Sequence, residues 1–253
     1  MNTHSSKRQI PLLLSMPQTC SYLKDQLSSN AFVDPELEMD VALYAQLLRV
    51  GFRRSGRLVY RPHCAECQQC LSLRIPVEKF QERRRHRRIR QKNQHVRLVT
   101  SNPRLQAEHF DLFRRYTASR HEGGSMAEST PAQYMDFLTA PWSETVFLEM
   151  REDERLLGIA VTDMLGDGLS AVYCFFDPEM PHRSLGAFAI LSQISMARQL
   201  DLPYLYLGYW IRDCSKMSYK ADYRPMQVFS GGRWQTFYPG QEIDVPELLS
   251  QGH

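Results

Sequence analysis

No run of apolar residues approaches the roughly 18–20 that a membrane span requires, so the sequence predicts a protein without a membrane partner. The beginning of the chain lacks the features of a secretory leader. Its one apolar patch, Ile10 to Leu14, is interrupted by Pro11 and followed by polar residues. Cysteine is too sparse for a disulfide framework, with six in 253 residues and four of those before Leu71. Such usage fits a reduced compartment and predicts a cytoplasmic protein. Internal repeats are missing, and low complexity is confined to one arginine run. With 43% apolar and 23% charged residues, the composition excludes a disordered or fibrous chain. The length suffices for one large domain or two ordinary ones, because single cores stop growing at roughly 250–300 residues.

The formal net charge is only +3, but it is unevenly distributed. Lys79 to Arg97 holds nine basic residues and one acid, Glu82, a local +8 that leaves the remaining 234 residues at −5. A mildly acidic protein therefore carries one concentrated basic stripe. Density of this kind, from Arg83, Arg84, Arg85, Arg87, Arg88 and Arg90 to Lys92, is costly in self-repulsion unless a counter-charge meets it. Phosphate backbone neutralisation fits, and a shape-recognised RNA such as tRNA suits contacts that read no sequence.

Punctuation along the chain predicts an α/β protein. A helix is expected over 34–51, with Asp34 as N-cap, Pro35 at the first position and Gly51 just past the end. Leu58 to Arg61, the cysteine cluster and Leu71 to Val77 follow, and the last of these alternates in part and suits a strand. Between Glu78 and Gln94 only Phe80 and Ile89 are strongly apolar, which predicts a solvated helix or a linker with no buried face. Asn102-Pro103 is expected to open a helix carrying Phe110, Phe113 and Tyr116, and Thr130-Pro131 a second. Three strands follow, Thr145 to Met150, Leu156 to Met164 and Ser170 to Phe176, then a helix capped by Ser184 and a strand from Pro203 to Trp210. A meander followed by a strand–helix–strand unit is the ground plan of GNAT-type acyltransferases. The expected division is 1–98, 99–240 and an acidic, poorly ordered or peripheral tail at 241–253.

Two further groups of residues bear chemistry. Cys64, Cys67 and Cys70 form C-x-x-C-x-x-C, with Cys20 as a possible fourth thiolate and His63 as an alternative. Tight turns of this kind aim sulfurs at one ion, so a structural zinc or an iron–sulfur cluster is a candidate beside the plain alternative of reduced thiols. In the block 204–225, Tyr209, Trp210, Tyr219 and Tyr223 interleave with Arg212, Lys216, Lys220 and Arg224. Aromatic faces and cations woven together suit base stacking and phosphate contact.

These stretches carry a resemblance. Cys-Ser-Tyr-Leu at 20–23, GFRRSG at 51–56, YRPHCAECQQC at 60–70, RIPV at 74–77, the arginine run, SRHEGGSM at 119–126, VYCFFDP at 172–178 and YWIRDCSKMSYKADYRP at 209–225 resemble the bacterial aspartate/glutamate leucyltransferases, relatives of the arginyl-tRNA–protein transferases. The resemblance implies an enzyme that moves leucine from leucyl-tRNA onto proteins beginning with Asp or Glu, tagging them as N-degrons. It also implies a GNAT-type domain behind a cysteine-bearing N-terminal domain. The eukaryotic relatives carry an adjacent Cys-Cys pair where this chain has a spaced triplet, so their metal chemistry does not transfer automatically.

Such a reaction starts from an activated ester and requires no cofactor, metal or covalent enzyme intermediate. The nucleophile is an α-amine with a reference pKa of about 7.7–8.0. Tyr209, Lys216 and Tyr219 are expected to donate hydrogen bonds to the oxyanion, Asp213 and Asp222 are nearby acids, and the vicinal hydroxyl of the tRNA is a further proton carrier. Choosing an acidic N-terminus needs a cation, for which Arg53, Arg54, Arg74, Arg120 and His121 are candidates. Tyr173, Phe175 and Phe176 are candidates for the leucyl pocket, with Lys220 and Tyr223 assigned to tRNA. Arginyl-tRNA as donor, an acetyl-CoA-dependent acetyltransferase using the Arg183-Ser184-Leu185-Gly186 turn, and a zinc-stapled RNA-binding protein are the alternatives.

Overall fold

The computed structural model describes residues 9–120 and 128–250. The chain begins with β1 (Leu12–Leu14), β2 (Gln18–Thr19), β3 (Leu27–Ser28) and β4 (Asn30–Val33), followed by α1 (Val41–Arg49), β5 (Arg53–Ser55) and β6 (Leu58–Pro62). Four of these strands make a small sheet in the order β1-β4-β6-β5, and β2 pairs with β3. Helix α1 starts later than its sequence suggests. Asp40 Oδ1 accepts from the Leu43 N–H at 2.7 Å and caps it, whereas Asp34 closes a turn on the Glu36 N–H. Gly51 does sit past the C-cap, at φ +89°.

β7 (Leu71–Pro76) is buried at all six positions. It is followed by α2 (Arg84–Lys92), β8 (Arg97–Ser101), α3 (Ala107–Arg120) and α4 (Pro131–Leu138). α2 is the basic stripe, and contrary to expectation it has a buried face formed by His86 and Ile89. α3 begins at Ala107, because the chain before it is the edge strand β8, paired with β9 from Arg97 to Ser101. α4 begins where expected: Thr130 Oγ1 accepts from Gln133 N and Gln133 Oε1 accepts from Thr130 N, a reciprocal cap.

The meander β9 (Thr145–Glu152), β10 (Arg155–Leu165) and β11 (Gly168–Phe176) precedes α5 (Leu185–Gln199) and β12 (Tyr204–Trp210). All four follow the sequence reading, although Ser184 leads into α5 with a left-handed backbone and no side-chain cap. α6 (Ser215–Ser218) and a 3-10 turn (Tyr219–Asp222) lead to the hairpin β13 (Met226–Ser230) and β14 (Arg233–Phe237). α7 (Val245–Ser250) ends the described chain, and Ile243, Val245 and Leu248 are core residues, which corrects the expectation of a peripheral tail.

The mixed α/β chain builds one eight-stranded sheet in the order β14-β13-β7-β12-β11-β10-β9-β8. Alternation along its strands loads both faces. Leu148 and Met150 pack with α5, and Phe147 packs with α3 and α4 on the other side. β7, from the first third of the chain, lies antiparallel between β12 and β13. Among the described residues no helix is long and apolar enough to cross a membrane.

Candidate functional site

β11 and β12 run parallel, and only Gly168–Tyr204, Leu169–Leu205 and Ser170–Tyr206 pair between them. Beyond Ser170 and Tyr206 both strands continue, β11 to Phe176 and β12 to Trp210, without bonding each other. A register shift between Tyr206 and Gly208 accompanies the parting on β12. The wedge holds a chamber of about 450 Å³ between Ala171–Cys174 of one strand and Leu207–Tyr209 of the other, with α5 and α6 beside it.

Arg53 spans this wedge. Its Nη2 donates to the Ala171 carbonyl at 2.5 Å, and its guanidinium lies against Gly208, where an added Cβ would meet it at 3.4 Å. At φ +78°, Gly208 holds a backbone conformation that other residues rarely adopt. Arg53 is 6% exposed, and its buried Nη1 has no hydrogen-bond partner. A buried guanidinium N–H without an acceptor carries a desolvation cost that an incoming carbonyl or carboxylate relieves.

Lys220 lies opposite, 9% exposed, with Nζ donating to the Tyr209 carbonyl at 2.7 Å. Burial, then the charge of Arg53, pushes its ammonium down to about 7 against an upward pull from Cys214. The expected phosphate contact of Lys220 is therefore replaced by a place in the chamber wall. Tyr209 also differs from expectation, since its hydroxyl donates to the backbone oxygens of Gly51 (2.9 Å) and Tyr60 (3.2 Å).

A second chamber of about 610 Å³ adjoins the first and shares Tyr22, Tyr116, Tyr173, Phe176, Lys216 and Tyr219 with it. Lys216 and Tyr219 are exposed at this shared wall. The buried Tyr173 hydroxyl has no partner. Arg120 lines the second chamber, its guanidinium 5.7 Å from the Tyr116 ring and 5.6 Å from Phe176. Phe175 is fully buried in the core. His121 lies outside the described residues, as do Gly123 and Gly124.

Two expected substrate cations are engaged elsewhere. Arg54 forms a fully buried ion pair with Asp163 and also donates to the Leu138 carbonyl and Thr145 Oγ1. Arg74 is sandwiched 3.6 Å from the Tyr204 ring centroid and 4.2 Å from that of Trp234, bonded to Gln227 and Tyr206. Asp213 is exposed beside Cys67 in another cavity, and Asp222 pairs with Arg85.

Arg83 just before α2 and Arg84, Arg85, Arg87, Arg88 and Lys92 on it are exposed, whereas Arg90 binds Glu82, the Leu191 carbonyl and Ser195 and so belongs to the scaffold. Tyr223 is not a surface platform either. It is 2% exposed beneath the helix, stacked on His86 at 5.2 Å and 10° between planes. The second chamber is lined by Arg85, His86 and Ile89, so the basic helix forms its rim.

Cys20, Cys64, Cys67 and Cys70 line a third cavity of about 340 Å³, with Tyr22, Tyr60 and Tyr209 between it and the first. Burial, then the neighbouring thiols beginning with Cys64 and Cys67, pushes the Cys70 thiol up to about 12. Soft, clustered sulfurs suit zinc or iron. Among the described residues, however, no three His, Cys, Asp or Glu side chains stand close enough together to hold an ion. Tyr22, which sequence reasoning passed over, lines all three cavities, and its place beside Cys20 in a matching stretch was the available signal.

Comparisons with known proteins agree along the chain. Sequence profiles for the N terminus and C terminus of arginine-tRNA-protein transferases match residues 18–88 and 108–230. A protein of Nitrosococcus oceani named aspartate/glutamate leucyltransferase is 51% identical over 87% of this chain and 93% of its own. One of the same name from Alkalilimnicola ehrlichii is 47% identical over 90% and 96%. Among solved structures, L-PGS from Bacillus licheniformis overlays with a TM-score of 0.47 at 10% identity, over 73% of this chain and 65% of that one, a likeness too loose to decide anything.

Proposed function

The chain belongs to the arginine-tRNA-protein transferase family, and from that membership we propose that it transfers leucine from leucyl-tRNA to the α-amine of proteins beginning with Asp or Glu. The observation that supports this most is the pair of adjoining chambers, one rimmed by the basic helix α2 and the other holding the unpartnered Nη1 of Arg53. A donor bound along α2 brings its acceptor end to the second chamber. An acidic N-terminus fills the first.

In this reading the exposed Arg83, Arg84, Arg87 and Arg88 neutralise tRNA phosphates. Arg53 meets the carboxylate side chain of the acceptor, since Arg54 and Arg74 are already engaged. Tyr116, Tyr173 and Phe176 at the shared wall enclose the leucyl side chain. Lys216 and Tyr219 donate to the oxyanion. Holding amine and ester together contributes up to roughly 7–11 kcal/mol. The parted parallel strands with α5 between them in sequence fit a GNAT-type core. The expected boundary at 98/99 falls inside β8 and leaves β7 of the same sheet on the wrong side, so the catalytic unit is read as beginning at β7, with the cysteine-bearing segment before it as companion. The protein works in the cytoplasm, where charged tRNA is found. The four cysteines would hold a structural ion only after their sulfurs draw together, and metal analysis of the purified protein tests that.

The deciding assay gives purified protein leucyl-tRNA, arginyl-tRNA and acetyl-CoA in turn, with peptides beginning Asp, Glu or Ala. Leucine appearing on the Asp and Glu peptides alone supports the reading. Arginine transfer or acetylation in its place overturns it.

A further inference from the structure

Resting on that transfer reaction, we propose that Lys220 is the proton acceptor that turns the incoming α-ammonium into the attacking amine. The argument starts from what the first chamber lacks. Among the described residues that line it there is no Asp, Glu or His. Its tyrosines are poor acceptors at neutral pH, because burial pushes the Tyr116 hydroxyl up to about 12 and raises those of Tyr60, Tyr173 and Tyr209 as well, and a phenol exposed as Tyr22 and Tyr219 are stays protonated below its ordinary value of about 10. Burial does the same to the Cys174 thiol, raised to about 12. Two lysines remain. Lys216 is exposed to water, and Lys220 is buried.

The surroundings of Lys220 favour its neutral form. No carboxylate pairs with it among the described residues, and the charged group from β5 that faces it is the fixed cation Arg53. From the segment before α6 comes Cys214, and from β12 the backbone carbonyl of Tyr209. With Nζ donating one hydrogen to the Tyr209 carbonyl at 2.7 Å, the lone pair of the neutral amine remains to take a proton from the chamber. The burial that costs a lysine its charge is what makes it a base near neutrality.

The step balances as follows. The α-ammonium gives one proton to Lys220 Nζ, and the free amine attacks the ester carbonyl, forming the C–N bond. The tetrahedral species breaks its bond to the ribose oxygen, which takes the second proton lost by nitrogen. Lys220 then returns its proton to water, so one proton is released per transfer. Arg53, the carboxylate anchor, fixes the acceptor so that its ammonium lies at Lys220.

Leucine transfer by the wild-type protein is measured first, and its absence overturns the proposed function itself. With that activity in hand, Lys220→Arg and Lys220→Met are expected to lower kcat at pH 7 by roughly 10²–10⁴-fold, with melting temperature and leucyl-tRNA binding retained. The wild-type kcat should fall as pH drops through about 7, in keeping with the depressed Lys220 ammonium. Lys220→Ala should recover rate in proportion to the free base of an added small tertiary amine, which accepts a proton but cannot accept leucine. Wild-type kcat in Lys220→Arg overturns the proposal, because a permanent cation cannot take a proton. Should the variants fail to fold, lysine ¹³C NMR of the wild-type protein decides. A Lys220 resonance titrating near 7 supports the proposal, and one titrating above 9 overturns it.

Discussion

Arg54 and Asp163 meet in a two-pronged ion pair, Nε to Oδ2 and Nη2 to Oδ1 both at 2.6 Å, with neither side chain exposed. Nη2 also reaches the Leu138 carbonyl and Thr145 Oγ1, and Nη1 donates to the Gly56 carbonyl, so the pair ties β5 of the small sheet to β10 and to the end of α4. Replacing Arg54 by Met leaves a buried carboxylate without its partner. The expected loss is about 3–5 kcal/mol in chemical denaturation, larger than that of Arg53→Met, which leaves no carboxylate behind.

The face of α2 offers a test of RNA contact that separates charge from scaffold. Arg84, Arg87 and Arg88 are exposed. Their joint replacement by Ala should flatten the slope of log K against log salt for tRNA binding by roughly 2–3 units, near 0.7–0.9 per phosphate lost. Arg90→Ala should leave the slope unchanged and lower the melting temperature, since Arg90 bonds Glu82, Leu191 and Ser195.

Acid should loosen the turn after β11. Burial acts to raise the Asp177 carboxyl, yet the Glu179 N–H, Arg155 and Arg115 outweigh it and hold Asp177 below the usual carboxylate range. A depressed carboxyl gives stability that is present above its unfolded pKa of about 3.9. That contribution disappears as pH falls through the lower folded value. Melting curves from pH 5 down to pH 2 should show a steeper decline for the wild-type protein than for Asp177→Asn.

The cysteines should differ in reactivity. With the Cys70 and Cys174 thiols both pushed up to about 12, the thiolate fraction at pH 8 is about one in ten thousand. In metal-free protein both should resist iodoacetamide while Cys20 and Cys67 are alkylated, read by mass spectrometry of the peptides.

At the split itself, Gly208→Ala adds a Cβ at φ +78° and 3.4 Å from the Arg53 guanidinium. Backbone strain and displacement of Arg53 should raise KM for Asp and Glu peptides several-fold, with leucyl-tRNA binding intact.

What the sequence made legible follows from local chemistry. Thr130-Pro131 with Gln133, the meander from Thr145 to Phe176 and the helix after Ser184 all carry their signals within a few residues. The place of Leu71–Pro76 in the large sheet depends on partners far along the chain, and no local pattern encodes it. The same limit governs the arginines. Arg53 and Arg54 are neighbours on one strand, so their side chains leave on opposite faces. Both line the chamber, and which guanidinium keeps a donor without a partner there depends on Asp163 lying behind the other. Lys216 and Lys220 read alike in a cationic weave until the 3-10 turn at Tyr219–Asp222 buries one of them.

β7 has a consequence for synthesis. Leu73 bonds into the sheet opposite Gly208 and Val228, residues made roughly 135–155 positions later. At about 5–20 residues per second, the ribosome takes roughly 7–30 s to supply them. For that interval a strand carrying Leu71, Leu73 and Ile75 leaves the exit tunnel with both edges bare, open to pairing with another chain until β12 and β13 follow.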